Sequence, residues 1–296
     1  IHVSAMSGTG LDLLRAHLLA HPEVAERVLP QLSPAAAARV TEITEAAASV
    51  VVAPPSAVPP LLADPPWQHR AKAAKPVVLP GLACTDAPAM SWLPGEQEAW
   101  RKTTVTRYPD HGHSWTKIGE RLLSGNDSWG DSIRFFTEAP VGLARPVLRR
   151  WRPRYVWEAG TWMRVVADRF GTDALPLALE LAGRSPAENA PILLPFESPE
   201  LAVQMADWLA RLKSGRAFAL SWLLRHPAAA ARALVPPALG KPGTARRQAE
   251  QALLTLHNNG HTEAVRAAAE SYGSGPAAAI GTLLDTDPLA VLPARM

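Results

Sequence analysis

The chain has 296 residues, enough for two ordinary domains or one elongated repeat array. Apolar residues make up 47%, so a sizeable buried core is available, while the net charge of +3 is too small to argue for nucleic acid by itself. The single cysteine, Cys84, excludes an intrachain disulfide and fits a reducing, cytoplasmic setting.

The chain begins with Ile1 rather than Met, as expected of a fragment of a longer protein. Its opening, IHVSAMSGTGLDLL, places Ser4-Ala5 ahead of Gly8-Thr9-Gly10-Leu11. That spacing is similar to the segment that closes the guanine pocket of many GTPases, so one reading makes residues 1–20 the C-terminal remnant of a GTPase domain. Neither G-x-x-x-x-G-K-[ST] nor N-K-x-D follows downstream. The competing reading is a glycine-shaped turn before a helix whose face is Leu11, Leu14 and Leu18. The N-terminal unit, 1–52, is then three helices: 11–20, 22–29 and 34–52. Ser33-Pro34 marks the last start, with serine as N-cap and proline at the first helical position.

Residues 53–94 carry prolines at 54, 55, 59, 60, 65, 66, 76, 80, 88 and 94, which exclude helix over most of the stretch. The prolines also interrupt the longest charge-free apolar window, AAASVVVAPPSAVPPLLA, so no membrane span is expected. Leu61, Leu62, Trp67, Val77, Val78 and Trp92 supply apolar anchors. The expectation is an ordered, extended strap lying across helices. Within it, KPVVLPGL is a short extended piece that Pro76 and Pro80 confine to an edge.

Residues 95–157 read as an irregular helical region. Helices are expected from Pro94-Gly95-Glu96, over 114–123, and over 131–138, with polar and glycine residues between them. From 158 to 296 the pattern is regular. Helices are predicted near 158–170, 173–182, 187–194, 199–212, 216–225, 228–239, 245–257, 262–272 and 276–285. Ser185-Pro186-Ala187-Glu188 reads as a capping box, Ser198-Pro199 as another capped start, and Asn258-Asn259-Gly260 as a left-handed stop. LLAHPEVAERVL from Leu18 and LLRHPAAAARAL from Leu223 share register, each placing a helix end at His and a new start at Pro. His21 and His226 are expected to cap helix-terminal carbonyls there. The fold class is all-α: a HEAT-like α-solenoid of helical repeats interrupted by a proline-rich extended insertion.

The stretch from Leu201 onward, LAVQMADWLARLKSGRAFALSWLLRHPAAAARALVPPALGKPGTARRQAEQALLTL, resembles the helical-repeat region of large bacterial MolR-like proteins. DPPW, KPVVLPGL and LPGEQEAW are similar to what those proteins place between helical units, and the likeness spans most of 13–272. Such proteins carry a domain of unknown function, sometimes joined to a WGR domain. The resemblance implies a long multidomain cytoplasmic protein and brings no functional residues with it.

Candidate chemistry is sparse. Asp110-His111-Gly112-His113 lacks the further spaced ligands of a zinc site, and Cys84 with His111 or His113 lacks the setting of an activated thiolate. No cofactor and no catalytic residue is assigned. ARPVLRRWRPRYVW is the most suggestive stretch. Arg145, Arg149, Arg150, Arg152 and Arg154 interleave with Trp151, Tyr155 and Trp157, a composition that grips phosphates and stacks on bases. The assigned polyanion set is Arg145, Arg149, Arg150, Trp151, Arg152 and Arg154. Packing at a junction is the competing account of the same residues. Lys241, Arg246 and Arg247 form a smaller basic cluster. The reading is a non-catalytic scaffold that binds protein partners and joins other domains of a longer chain. A nucleic-acid-associated module and the GTPase remnant stand as alternatives.

Overall fold

The computed structural model describes residues 22–48, 54–65, 76–109, 112–126 and 128–286, and most of these are helical. The chain divides into two compact units, 1–73 with 288–296, and 74–287. The dividing point falls inside the predicted strap 53–94, and its second half joins the helices that follow. The only strand pairing among the described residues is a two-residue ladder. Strand β1, Ala89–Met90, runs antiparallel to β2, Phe196–Glu197, with Ala89 opposite Glu197 and Met90 opposite Phe196. The chain is all-α in class.

In the first unit α1 is Pro22–Val28, α2 is Pro34–Ala48 and α3 is Pro60–Ala63. The Ser33 hydroxyl accepts from the Ala36 amide at 3.4 Å, as the N-cap reading requires. The predicted helix 11–20, His21 and the GTPase-like segment lie outside the described residues. Two single turns, Pro55–Ala57 and α3, occur where helix was not expected. Each begins on a proline, where the missing N–H is harmless.

The second unit begins with α4 (Glu96–Arg101), α5 (Trp115–Ser124), α6 (Trp129–Glu138) and α7 (Val141–Leu148). It continues with α8 (Ala159–Phe170), α9 (Leu175–Arg184) and α10 (Pro186–Asn189). The last six are α11 (Pro199–Arg211), α12 (Arg216–Arg225), α13 (Pro227–Ala238), α14 (Thr244–Asn258), α15 (Thr262–Ser271) and α16 (Ser274–Asp285). Helix α7 was not among the predicted elements. Its apolar residues Ala144, Val147 and Leu148 are buried despite Pro146 inside the helix.

Start and stop chemistry explains several boundaries. Ser114, Ser128 and Ser198 each accept a backbone amide three residues on, from Lys117, Asp131 and Leu201. Gly260, at φ +89°, ends α14 with the His261 amide on Leu256 O and its own amide on His257 O, both at 3.0 Å. The predicted capping box at Ser185 does not form. The Ser185 amide closes the end of α9 on Leu181 O, and its hydroxyl meets the Glu188 side chain at 3.2 Å instead. A residue that finishes one helix and starts the next lacks the extended backbone that a cap needs.

The core of this unit is continuous, and Trp162, Trp222, Phe135, Phe136 and Phe196 are its largest fully buried side chains. Helices α11 to α16 pack on their neighbours along the chain, α11 touching α12, α13 and α14, and α13 touching α14 and α15. Small residues at these seams, such as Ala230, Ala231, Ala249 and Ala252, let the backbones approach.

The second part of the strap, 76–94, lies over this stack and is held by paired contacts. Its backbone bonds outward: Leu79 N–H to Leu239 O at 2.9 Å, and Ser91 N–H to Pro195 O at 2.7 Å. Arginines reach back from three successive helices. Arg246 of α14 donates to Val77 O (2.8 Å), Arg232 of α13 to Asp86 (2.7 Å), and Arg225 of α12 to Ser91 O (2.7 Å) and Glu96 (2.9 Å).

Two outcomes are expected. Leu253→Ala, at a fully buried seam, lowers the unfolding free energy by about 2–5 kcal/mol in denaturant titration. The second concerns Glu96. Burial raises its carboxyl, but the Arg225 hydrogen bond, the Leu93 amide and the charges of Arg225 and His226 together hold it below its ordinary 4.5. A depressed carboxylate stabilises the fold above the unfolded-state pKa, and that contribution disappears as pH falls through the folded value. Thermal melts from about pH 7 to about pH 3 check this. Glu96→Gln is expected to melt lower at neutral pH and to lose less than wild type below about pH 4.5.

Candidate functional site

The polyanion set does not form one free patch. Arg145 and Arg149 both clamp Asp173, with Arg149 Nη2 2.7 Å from Oδ1 and Arg145 Nη1 on Oδ2. The Arg149 hydrogen bond, opposed by burial and helped by both charges, holds the Asp173 carboxyl below its usual range. Arg152 lies 3.2 Å from Glu180 and also donates to Trp151 O. Arg154 donates to the Gly125 carbonyl. Arg150 is exposed.

Trp151 corrects the prediction. It is only 3% exposed, packed against Phe136 at 4.8 Å and Trp162 at 6.4 Å between ring centroids, and offers no face to a base. The signal was present in the sequence: Ala144, Val147, Leu148 and Trp151 fall at the spacing of one buried helical face.

The aromatics that reach solvent are Tyr155 and Trp157, at 54% and 67% exposure. Their rings stack at 5.5 Å and 24°. The pair is anchored inward, since Tyr155 meets the edge of Trp129, Trp129 meets Trp162, and Trp162 Nε1 donates to Trp157 O at 3.1 Å. The next residue, Glu158, has φ +53°, the one positive φ at a non-glycine among the described residues. That conformation costs on the order of 1–2 kcal/mol. Its carboxylate accepts from Thr106 at 2.8 Å, tying the turn to the segment before α5.

A second site lies where the strap crosses α11 and α13. A half-open cavity of about 460 Å³ has Cys84, Asp86, Ala87 and Ala89 on the strap side. Glu197, Pro199, Ala229 and Arg232 face them. Arg232 is held above its usual range first by the Asp86 hydrogen bond, with burial opposing and the charges of Asp86, Cys84 and Glu197 adding. Behind it, the Tyr272 hydroxyl donates to Arg232 O at 2.8 Å. Burial, then Cys84 and Asp86, push that phenol above its ordinary range.

His226 does not cap its own helix as expected. Its ring is fully buried, with Nδ1 2.9 Å from Glu197 Oε1 and Nε2 2.7 Å from Leu194 O. A carbonyl and a carboxylate only accept, and a neutral imidazole has one N–H. An imidazolium donates from both ring nitrogens, which satisfies the Leu194 carbonyl and pairs its charge with the Glu197 carboxylate.

Other candidates fall away or lie elsewhere. Arg246 is buried in its bonds to Glu250, Gly240 O and Val77 O, so the 241–247 cluster is not a free basic patch. Asp110 and His111 lie outside the described residues. Among the described residues no three His, Cys, Asp or Glu side chains gather as a metal site would require. Asp86, Glu197 and Arg232 were not singled out from sequence, because three segments far apart in the chain assemble them and no local spacing marks the set.

The imidazolium state of His226 is testable. In Glu197→Gln an amide donor meets Nδ1, so a neutral ring suffices. Nitrogen NMR is expected to show one protonated ring nitrogen in that variant and a proton on both ring nitrogens in wild type. His226→Ala strands both acceptors and leaves a void, at a cost of about 2–5 kcal/mol in denaturant titration.

Comparison with known proteins places the chain loosely. No family model and no solved structure matches it. The uncharacterized protein YehI of Escherichia coli (strain K12) is 24% identical over 374 aligned residues, covering 96% of this chain and 30% of that protein. The chain thus spans less than a third of the length of the curated relative it matches.

Proposed function

We propose that this chain is a non-catalytic helical-repeat scaffold, a HEAT-like solenoid segment of a longer bacterial protein, that docks a protein partner. One observation carries the reading: Tyr155 and Trp157 form an exposed, inwardly anchored aromatic stack that follows Arg150, Arg152 and Arg154 in the chain. Tyr, Trp and Arg are the residue types that dominate binding energy at protein interfaces. Exposing such a pair costs hydrophobic free energy that a partner's surface recovers. The serial packing of α11 to α16 supports the solenoid part. The MolR-like resemblance and a cytoplasmic setting are consistent with a module inside a multidomain chain. Nothing among the described residues bears on a GTPase remnant in residues 1–20.

A second reading uses the same stack as a platform for the bases of a single-stranded nucleic acid. Arg154, whose bonded partner is uncharged, and exposed Arg150 favour it. One experiment separates the two. A photo-crosslinking residue replaces Arg150 in the full-length protein, with Gln251 as a control position. A discrete protein adduct from 150, absent from 251 and lost with Trp157→Ala, is the expected result. A nuclease-sensitive adduct supports the second reading, and no adduct contradicts both. Trp157→Ala itself is expected to change stability by no more than about 1 kcal/mol.

A further inference from the structure

We propose that the cavity between the strap and helices α11 and α13 is a binding site for a small zwitterion, an apolar α-amino acid. The site is separate from the aromatic stack and does not depend on it.

Size and charge lead to this ligand class. The cavity is about 460 Å³ and half-open, within the ~300–1,000 Å³ range of small-molecule sites. Its charged groups balance. Asp86 and Arg232 form one neutral pair, and Glu197 with His226 forms another. A purely cationic or purely anionic ligand would find a partner in only one member of the Arg232–Asp86 pair. A ligand bearing both signs finds a partner in each.

Valences on the rim match such a ligand. Arg232 engages Asp86 through Nε, so its two terminal NH₂ groups remain to take a carboxylate in a bidentate fork. Asp86 uses Oδ2 for Arg232 and Glu197 uses Oε1 for His226. The second oxygen of each remains to accept from an ammonium. The lining also includes Ala87, Ala89, Pro199 and Ala229, which suit a small aliphatic side chain. The rim is also held in place from behind. Tyr272 fixes the backbone of Arg232, and His226 fixes Glu197. A site whose polar groups are positioned before the ligand arrives loses less entropy on binding.

The test is titration calorimetry of the purified chain with L-leucine, L-valine and L-alanine at up to roughly 10 mM, a range that reaches millimolar dissociation constants. Two truncated analogues accompany them: isoamylamine, which lacks the carboxylate, and 4-methylpentanoate, which lacks the ammonium. At least one amino acid is expected to bind. Each analogue of leucine should bind ~10-fold more weakly or worse, since a charge-assisted hydrogen bond is worth that factor. Arg232→Met removes the fork, and Ala229→Trp places a large ring in the cavity from its wall. Arg232→Met is expected to abolish the heat of binding and Ala229→Trp to weaken binding ~10-fold or more, with ligand-free melting confirming that each is folded. If Arg232→Met does not fold, Ala229→Trp decides. No heat with any amino acid overturns the proposal. So does an amine or acid alone binding as well as leucine, or undiminished binding in Ala229→Trp.

Discussion

Three arginines on three successive helices hold a proline-rich strap that cannot satisfy its own backbone. Proline removes donors and blocks regular structure, so this extended, largely exposed segment makes no ladder of its own and bonds outward to the helices it lies on. Here the partners are the Leu239 and Pro195 carbonyls for strap amides, and Arg246 and Arg225 for the strap carbonyls of Val77 and Ser91. Arginine suits this task because its planar fork serves several acceptors at once and stays charged. Arg225 shows both the benefit and the cost: it spans Ser91 O and the Glu96 carboxylate, while its own Nε is buried without a partner.

The grip has consequences for packing. Leu79, Leu82, Met90 and Trp92 lie against the same core as the helices behind them, so the strap is part of that core's surface. The two-residue ladder between β1 and β2 fixes its register at Met90 and Phe196, and Trp222 Nε1 bonds Phe196 O from the other side. Cavity and strap are one feature, because Asp86 becomes a rim residue only by being drawn to Arg232. The aromatic stack at 155–157 depends on a different device, the strained turn at Glu158 and the chain of rings running inward through Trp129 to Trp162.

Much of the helical pattern was legible because its signals are local. Ser198-Pro199 and Asn258-Asn259-Gly260 each act within one turn, and both behave as their chemistry requires. Ser185 failed because its backbone was already committed to the preceding helix, a constraint that no four-residue motif reveals. Trp151 was read by residue type in a basic run, although its spacing from Val147 and Leu148 marks a buried face. Helix α7 was hidden by Pro146 and by the arginines around it. The cavity is the opposite case. Asp86, Glu197 and Arg232 meet only after the strap has crossed two helices, so tertiary packing creates the set.

The most direct measurement is amide hydrogen exchange at Leu79 and Ser91, read residue by residue by NMR. If the strap is integral to the folded unit, both amides are protected about as strongly as the cores of α11 and α13. Arg246→Met should then release Leu79, and Arg225→Met should release Ser91, before either helix opens. Exchange of Leu79 and Ser91 in wild type at the rate of an unstructured chain, with the helices still protected, would contradict this.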